Sequence, residues 1–131
     1  MQVELVLPRP PDVCYRAFCD VGSFWLWLPG MKKARVVRSD AEGRALEVSY
    51  EFGDSLSYAL VYAYDAAARK VRWVPSAGVQ YGVSGRAEFT PHPDGCLFSF
   101  ALEGRKGRGP DHQGEVARAF ARWVSQGTVP R

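Results

Sequence analysis

Apolar and polar positions alternate with a period of two through most of the chain, and strands follow from that alternation. Val3, Leu5 and Leu7 alternate with Gln2, Glu4 and Val6, which predicts a short first strand ended by Pro8, Pro10 and Pro11. Further strands are predicted over Lys33 to Arg38, Arg44 to Phe52, Ser55 to Tyr64, Lys70 to Val74, Val79 to Phe89 and Cys96 to Glu103. Asp40 to Gly43, Gly53-Asp54, Pro75 to Gly78 and Pro91 to Gly95 are the turns between them.

Helical spacing replaces the alternation in three places. Pro10-Pro11-Asp12 opens a helix, because proline is tolerated in a first turn and an acid there suits the helix dipole. Val13, Ala17 and Phe18 share a face of it, with Cys14 and Val21 beside that face. Ser23 is placed to cap a second short helix over Phe24 to Leu28, ended by Pro29-Gly30. The last helix is predicted from about Asp111 to Ser125, with Val116, Phe120, Trp123 and Val124 on one side and Arg118 and Arg122 on the other.

The order is strand, two short helices, six strands, long helix. Tight turns imply an antiparallel meander. A sheet with one apolar face needs a cover, and only the last helix is long enough to supply it. The class is therefore α+β, and the length of 131 residues fits a single domain over 1–131.

Alternation also sorts the chemistry. Tyr50, Tyr58, Tyr62, Trp73, Tyr81, Cys96, Phe98 and Phe100 fall on the inward parity, opposite Phe120, Trp123 and Val124 of the last helix. Such a wall suits a flat or elongated apolar ligand oriented by a few phenol hydroxyls. A ligand surrendering roughly 300 Å² of apolar surface would gain on the order of 7 kcal/mol before entropy costs. The same rings could instead simply fill the core.

Glu47, Glu51, Glu88 and Glu103 fall on the outward parity, so no carboxylate pair converges inside for acid/base work. His92 lies in a turn and His112 at the start of the last helix, and no His/Cys/Asp cluster has metal-ligand spacing. No serine sits in a nucleophile elbow, and Gly104, Gly107 and Gly109 match no phosphate loop. No catalytic residue, metal or cofactor is assigned.

The composition, 47% hydrophobic and 24% charged, reads as an ordinary soluble globular protein. The net charge of +3 is scattered; its densest stretches are Lys32-Lys33-Ala34-Arg35 and Arg105-Lys106-Gly107-Arg108. Both read as solvated surface, with RNA or an anionic membrane as the sharper alternative and no DNA partner expected. Cys14, Cys19 and Cys96 are odd in number and lack CxxC spacing, which fits a reduced, cytoplasmic setting. The stretch Phe24 to Leu28 is far too short for membrane insertion. Oligomeric state is not legible.

Four segments carry a family likeness: Pro10 to Phe18, Trp27 to Val37, Ser57 to Tyr62, and Gly85 to Pro91 continuing through Asp94-Gly95-Cys96. Taken together they resemble the START-like helix-grip superfamily (SRPBCC), in its polyketide cyclase and coenzyme-Q-binding branch. Trp27-Leu28-Pro29 through Lys33 is similar to that family's FLPxxK segment. The resemblance implies a curved sheet of about seven strands wrapped around a C-terminal helix, with an apolar cavity between them. It implies binding of a polyketide-like aromatic, a quinone or a lipid, with Trp25 and Trp27 where family members close the cavity. It also leaves open a cyclase, aromatase or dehydratase using Tyr58, Tyr62 or Tyr81, and a ribosome- or protein-interaction module. Ala87 stands where the family usually has Trp, and the last helix is short for the family.

Overall fold

The computed structural model describes residues 2–28, 30–52, 57–76, 84–103 and 112–126. Seven strands form one antiparallel sheet: β1 (Val3–Leu7), β2 (Met31–Ser39), β3 (Ala45–Phe52), β4 (Ser57–Asp65), β5 (Lys70–Pro75), β6 (Ser84–His92) and β7 (Gly95–Glu103). Between β1 and β2 lie α1 (Pro11–Cys19) and a 3-10 helix (Val21–Leu26), and α2 (His112–Ser125) follows β7. The strand order is β1-β7-β6-β5-β4-β3-β2. The chain therefore meanders from β2 to β7, and β1 adds antiparallel to β7, with Val3 opposite Phe100 and Leu7 opposite Cys96. This is the helix-grip arrangement expected from the sequence.

Alternation holds where it was read. Val48 and Tyr50 of β3, Leu60 and Tyr62 of β4, Val71 and Trp73 of β5, Ala87 and Phe89 of β6, and Cys96, Phe98 and Phe100 of β7 are all buried on the concave side. The outer face carries the ion pairs Arg38–Glu47, Lys70–Glu88 and Arg86–Glu103. Surface pairs of this kind each contribute about 0–1 kcal/mol, so they fix the polarity of the face more than its stability.

Three expectations need correction. The second helix starts earlier than Phe24 and is 3-10; Ser23 does not cap it, and the Ser23 amide instead donates to the Asp20 carbonyl at 3.0 Å. The β6–β7 hairpin is tighter than a five-residue turn, because His92 pairs with Gly95 and leaves only Pro93-Asp94 at its tip. The cover is also shared. α2 packs on β1 and β7, α1 on β6 and β7, and the 3-10 helix on β2 and β3. At 14 residues α2 is too short to cover seven strands, so α1 slides under the sheet beside it.

Local bonds fix these placements. Asp40 Oδ1 accepts from the amides of Glu42 and Arg44, both at 2.9 Å, and shapes the β2–β3 turn, where Gly43 takes a positive φ of 88°. The Leu102 amide donates to Gln113 Oε1 at 2.9 Å, tying the start of α2 to β7. Arg9 Nε donates to the Val124 carbonyl at 3.2 Å, tying its end to the segment after β1. Irregularities in the β2–β3 register after Met31, Val36 and Arg38 twist the edge strand β2. The predicted strand start at Val79 lies outside the described residues.

Candidate ligand-binding site

The concave face is a continuous field of rings, and its centre is a residue that strand parity alone does not supply. Phe18, from the buried face of α1, lies 5.2 Å from Phe24 and from Phe120, 5.7 Å from Trp73, 5.8 Å from Phe89 and 6.0 Å from Phe98. It plugs the space between sheet and α2. The signal for it was present in the sequence, since Phe18 falls four residues after Cys14 on the apolar face of α1. What could not be read was that α1 tucks into the concavity.

Most of the predicted wall closes on this plug. Tyr50, Tyr62, Trp73, Phe98, Phe100, Phe120 and Val124 are all buried. Trp27, Tyr58 and Trp123 are only partly buried, packed on the edge of the cluster. Trp27 lies 5.3 Å from Phe120, and Tyr58 lies 6.0 Å from Tyr50 and 5.5 Å from Phe52. Tyr81 and the side chain of His112 lie outside the described residues, as does the basic stretch Arg105 to Arg108. Trp25 is exposed on the 3-10 helix rather than folded over the rings.

Trp73 also accounts for the room that a small residue leaves in β6. Its indole lies across Gly85, its cross-strand partner, so closely that a Cβ there would come within 2.5 Å of Cζ2. Ala87, where the resemblance leads one to expect a tryptophan, is fully buried one step further along the same face. A large ring on β5 thus occupies space beside small residues on β6.

The buried phenols satisfy one another. Tyr50 Oη donates to the Val21 carbonyl at 3.0 Å, and Tyr50 and Tyr62 hydroxyls are 2.6 Å apart. With the Tyr50 proton committed to Val21, Tyr62 is the donor to Tyr50, giving a one-way chain that ties the 3-10 helix to β3 and β4. Burial pushes both phenols well above the ordinary tyrosine range, so both stay neutral. Neither bonds to a cation. The direction of the chain has a measurable consequence. Tyr50→Phe strands both the Val21 carbonyl and the Tyr62 hydroxyl and is expected to cost about 2–4 kcal/mol, whereas Tyr62→Phe leaves Tyr50 bonded and costs about 1 kcal/mol. Urea denaturation of the two variants checks this, and equal losses would mean that the bond from Tyr50 to the Val21 carbonyl adds nothing to stability.

Other candidate chemistry stays apart. Among the described residues no group of His, Cys, Asp and Glu is placed to hold a metal ion. His92 stays in its turn, accepting from the Asp94 amide at 3.1 Å. Cys14 and Cys96 are fully buried; the Cys14 thiol donates to the Arg9 carbonyl at 3.7 Å, and the neighbouring Cys96 thiol pushes Cys14 up while Cys96 itself is pushed down. Lys32, Lys33 and Arg35 line the exposed edge strand β2, away from the rings. No helix among the described residues is long and apolar enough to cross a membrane.

No family model matches the chain, and no curated protein matches it in sequence. Solved structures do match in shape. A START superfamily protein from Mycobacterium smegmatis is similar at a TM-score of 0.76 and 16% identity over 98% of both chains. The didomain aromatase/cyclase StfQ of the steffimycin biosynthetic pathway is similar at a TM-score of 0.76 and 10% identity, over 97% of this chain but 45% of that one. The Zhui aromatase/cyclase from Streptomyces sp. R1128 is similar at a TM-score of 0.61 and 12% identity, over 96% of this chain and 86% of that one. The chain has the START-like helix-grip fold.

Proposed function

We propose that this protein binds one small, predominantly apolar molecule against the partly open rim of the ring cluster that fills the space between sheet and α2. A polyketide-like aromatic, a quinone or a lipid would fit that chemistry. The observation that carries the reading is that Trp27, Phe52, Tyr58, Tyr64 and Trp123 are only partly buried, a rim of rings packed against a buried aromatic cluster. Rings left half open beside a dry aromatic wall gain most from a further apolar surface laid against them. The deeper residues, Tyr50, Tyr62, Trp73, Phe98, Phe100, Phe120 and Val124, would back this rim as its rigid support.

Binding is preferred over cyclase or dehydratase chemistry on acid–base grounds. Proton transfer near neutral pH needs a group whose pKa lies near the working pH. Burial drives Tyr50 and Tyr62 the opposite way, and neither hydroxyl is bonded to an arginine or histidine that would reverse this. The likeness to aromatase/cyclases supports an apolar occupant without assigning their chemistry here.

Two measurements test the reading. Native mass spectrometry of the purified protein, followed by organic extraction, is expected to reveal a co-purifying apolar molecule or uptake of added N-phenyl-1-naphthylamine. Tyr58→Ala is expected to weaken uptake of that probe about tenfold, equivalent to about 1.4 kcal/mol. Arg86→Ala, on the outer face, should leave it unchanged. A folded protein that takes up no probe, or equal effects of the two variants, would remove the proposal.

A further inference from the structure

The exposed apolar side chains are not scattered. Of the six large ones left exposed among the described residues, Trp25, Leu26, Val36 and Val37 belong to the 3-10 helix and to β2, the edge strand it packs on. Two contacts fix how these segments lie. A Cβ on Gly22 would come within 3.1 Å of Val36 Cγ2, and the Met31 amide donates to the Leu28 carbonyl at 3.2 Å. The 3-10 helix therefore runs antiparallel to β2. That direction brings Trp25 and Leu26, 48% and 49% exposed, level with Lys33 and Ala34.

The same edge is strongly basic. Met31–Ser39 carries Lys32, Lys33, Arg35 and Arg38 and no acidic residue. Arg38 is bonded to Glu47 at 3.0 Å. Lys32, Lys33 and Arg35 are exposed and form no ion pair among the described residues, although Lys33 stands opposite Glu51 in the ladder. Charge and local shape together select the occupant. Lysines, and register irregularities on either side of Lys33–Val36, discourage the addition of another strand at a sheet edge. A partner that pairs its backbone with β2 is therefore disfavoured. An anionic bilayer needs no register. Its headgroups attract the basic side chains, and a tryptophan beside a leucine suits the boundary between headgroups and acyl chains.

We infer that the 3-10 helix and β2 form a docking surface for an anionic lipid bilayer, with Trp25 and Leu26 entering the headgroup layer and Lys32, Lys33 and Arg35 held against its negative charge. The protein would lie on the membrane rather than span it. The inference does not rest on the ligand proposed above, because vesicles alone test it.

Co-sedimentation of the full chain with vesicles is the experiment. Binding is expected to vesicles of mixed phosphatidylcholine and phosphatidylserine, and not to phosphatidylcholine alone. Raising NaCl from about 0.05 to about 0.5 M should weaken it at least tenfold, because the added salt screens the surface charge. Lys32→Gln combined with Lys33→Gln should weaken binding about 30-fold, at roughly fivefold for each charge close to the surface. Trp25→Ala should weaken it about tenfold through lost apolar contact. Arg72→Gln, at an exposed cation of β5, should leave it within about twofold. Brominated acyl chains placed in the same vesicles should quench tryptophan emission, and Trp25→Phe should remove most of that quenching. No binding to either vesicle, equal binding to both, a loss in Arg72→Gln as large as in the lysine pair, or quenching that survives Trp25→Phe would each overturn the inference. Binding to a fluorescent oligouridine with none to vesicles would overturn it as well.

Discussion

Replacing Phe18 with alanine is expected to destabilise the protein by about 3–5 kcal/mol, the top of the range for core truncations. The reason is position rather than size. Phe18 is 1% exposed and meets the 3-10 helix, three strands and α2 at once. Its edge packs against Phe24 and Phe120, and its face lies over Trp73 at 28°. Removing it leaves a hole bordered by rigid rings, which cannot collapse as aliphatic side chains can. Several ring–ring contacts, each worth about 0.5–1.5 kcal/mol beyond burial, are lost together. Urea denaturation measures the effect. A loss below about 2 kcal/mol would show that the plug is not central, since that is the lower end for such truncations. Phe18→Leu should retain much of the stability, because it keeps most of the volume.

Gly95→Ala is the second large effect, on the order of 3–5 kcal/mol from backbone strain and overpacking combined. Gly95 begins β7 with φ at 139°, where L side chains are strained. A Cβ there would also run into the Leu7 carbonyl oxygen and into the Arg9 backbone at 2.9 Å. Neither obstacle is a flexible side-chain end, so the chain leaving β1 must move. That chain also carries Arg9 to the Val124 carbonyl, so the end of α2 should loosen with it. Hydrogen exchange is the discriminating measurement: β1 and the last turn of α2 should lose protection, while β3 and β4 keep theirs. An unchanged denaturation midpoint would show that the crossing segment is free to shift.

Strand identity was legible because a half-buried sheet imposes its period on the residues themselves. Val71 and Trp73 against Lys70, Arg72 and Val74 could hardly read otherwise, and β5 follows that pattern residue by residue. The helix over Pro11 to Cys19 was legible from its prolines and its acid. Helix packing was not, because it depends on which distant surfaces are complementary. Phe18 and Trp73 are 55 positions apart, and no local signal joins them. The 3-10 geometry of Val21–Leu26 was missed for a related reason. Its first residue, Val21, is held at the carbonyl by the Tyr50 hydroxyl of β3, a contact that no local signal reveals.

For the candidate site, parity correctly placed the phenols and rings on the inner side. It could not tell a ring that closes the interior from one that borders it. That difference lies in neighbours such as Phe24 against Tyr50, Trp73 against Tyr62, and Phe52 beside Tyr58.

The pairing of β1 with β7 sets a condition on how the chain acquires its shape. Val3 finds Phe100 only after 97 intervening steps along the backbone, and Phe18 waits for Phe98 and Phe120. A ribosome releasing the chain in sequence order would hold the plug and the first strand without their partners until β7 and α2 have been made. Long-range closure of this kind slows folding and leaves apolar surface uncovered meanwhile. Until β7 and α2 emerge, the aromatic residues of α1 lack the partners that bury them.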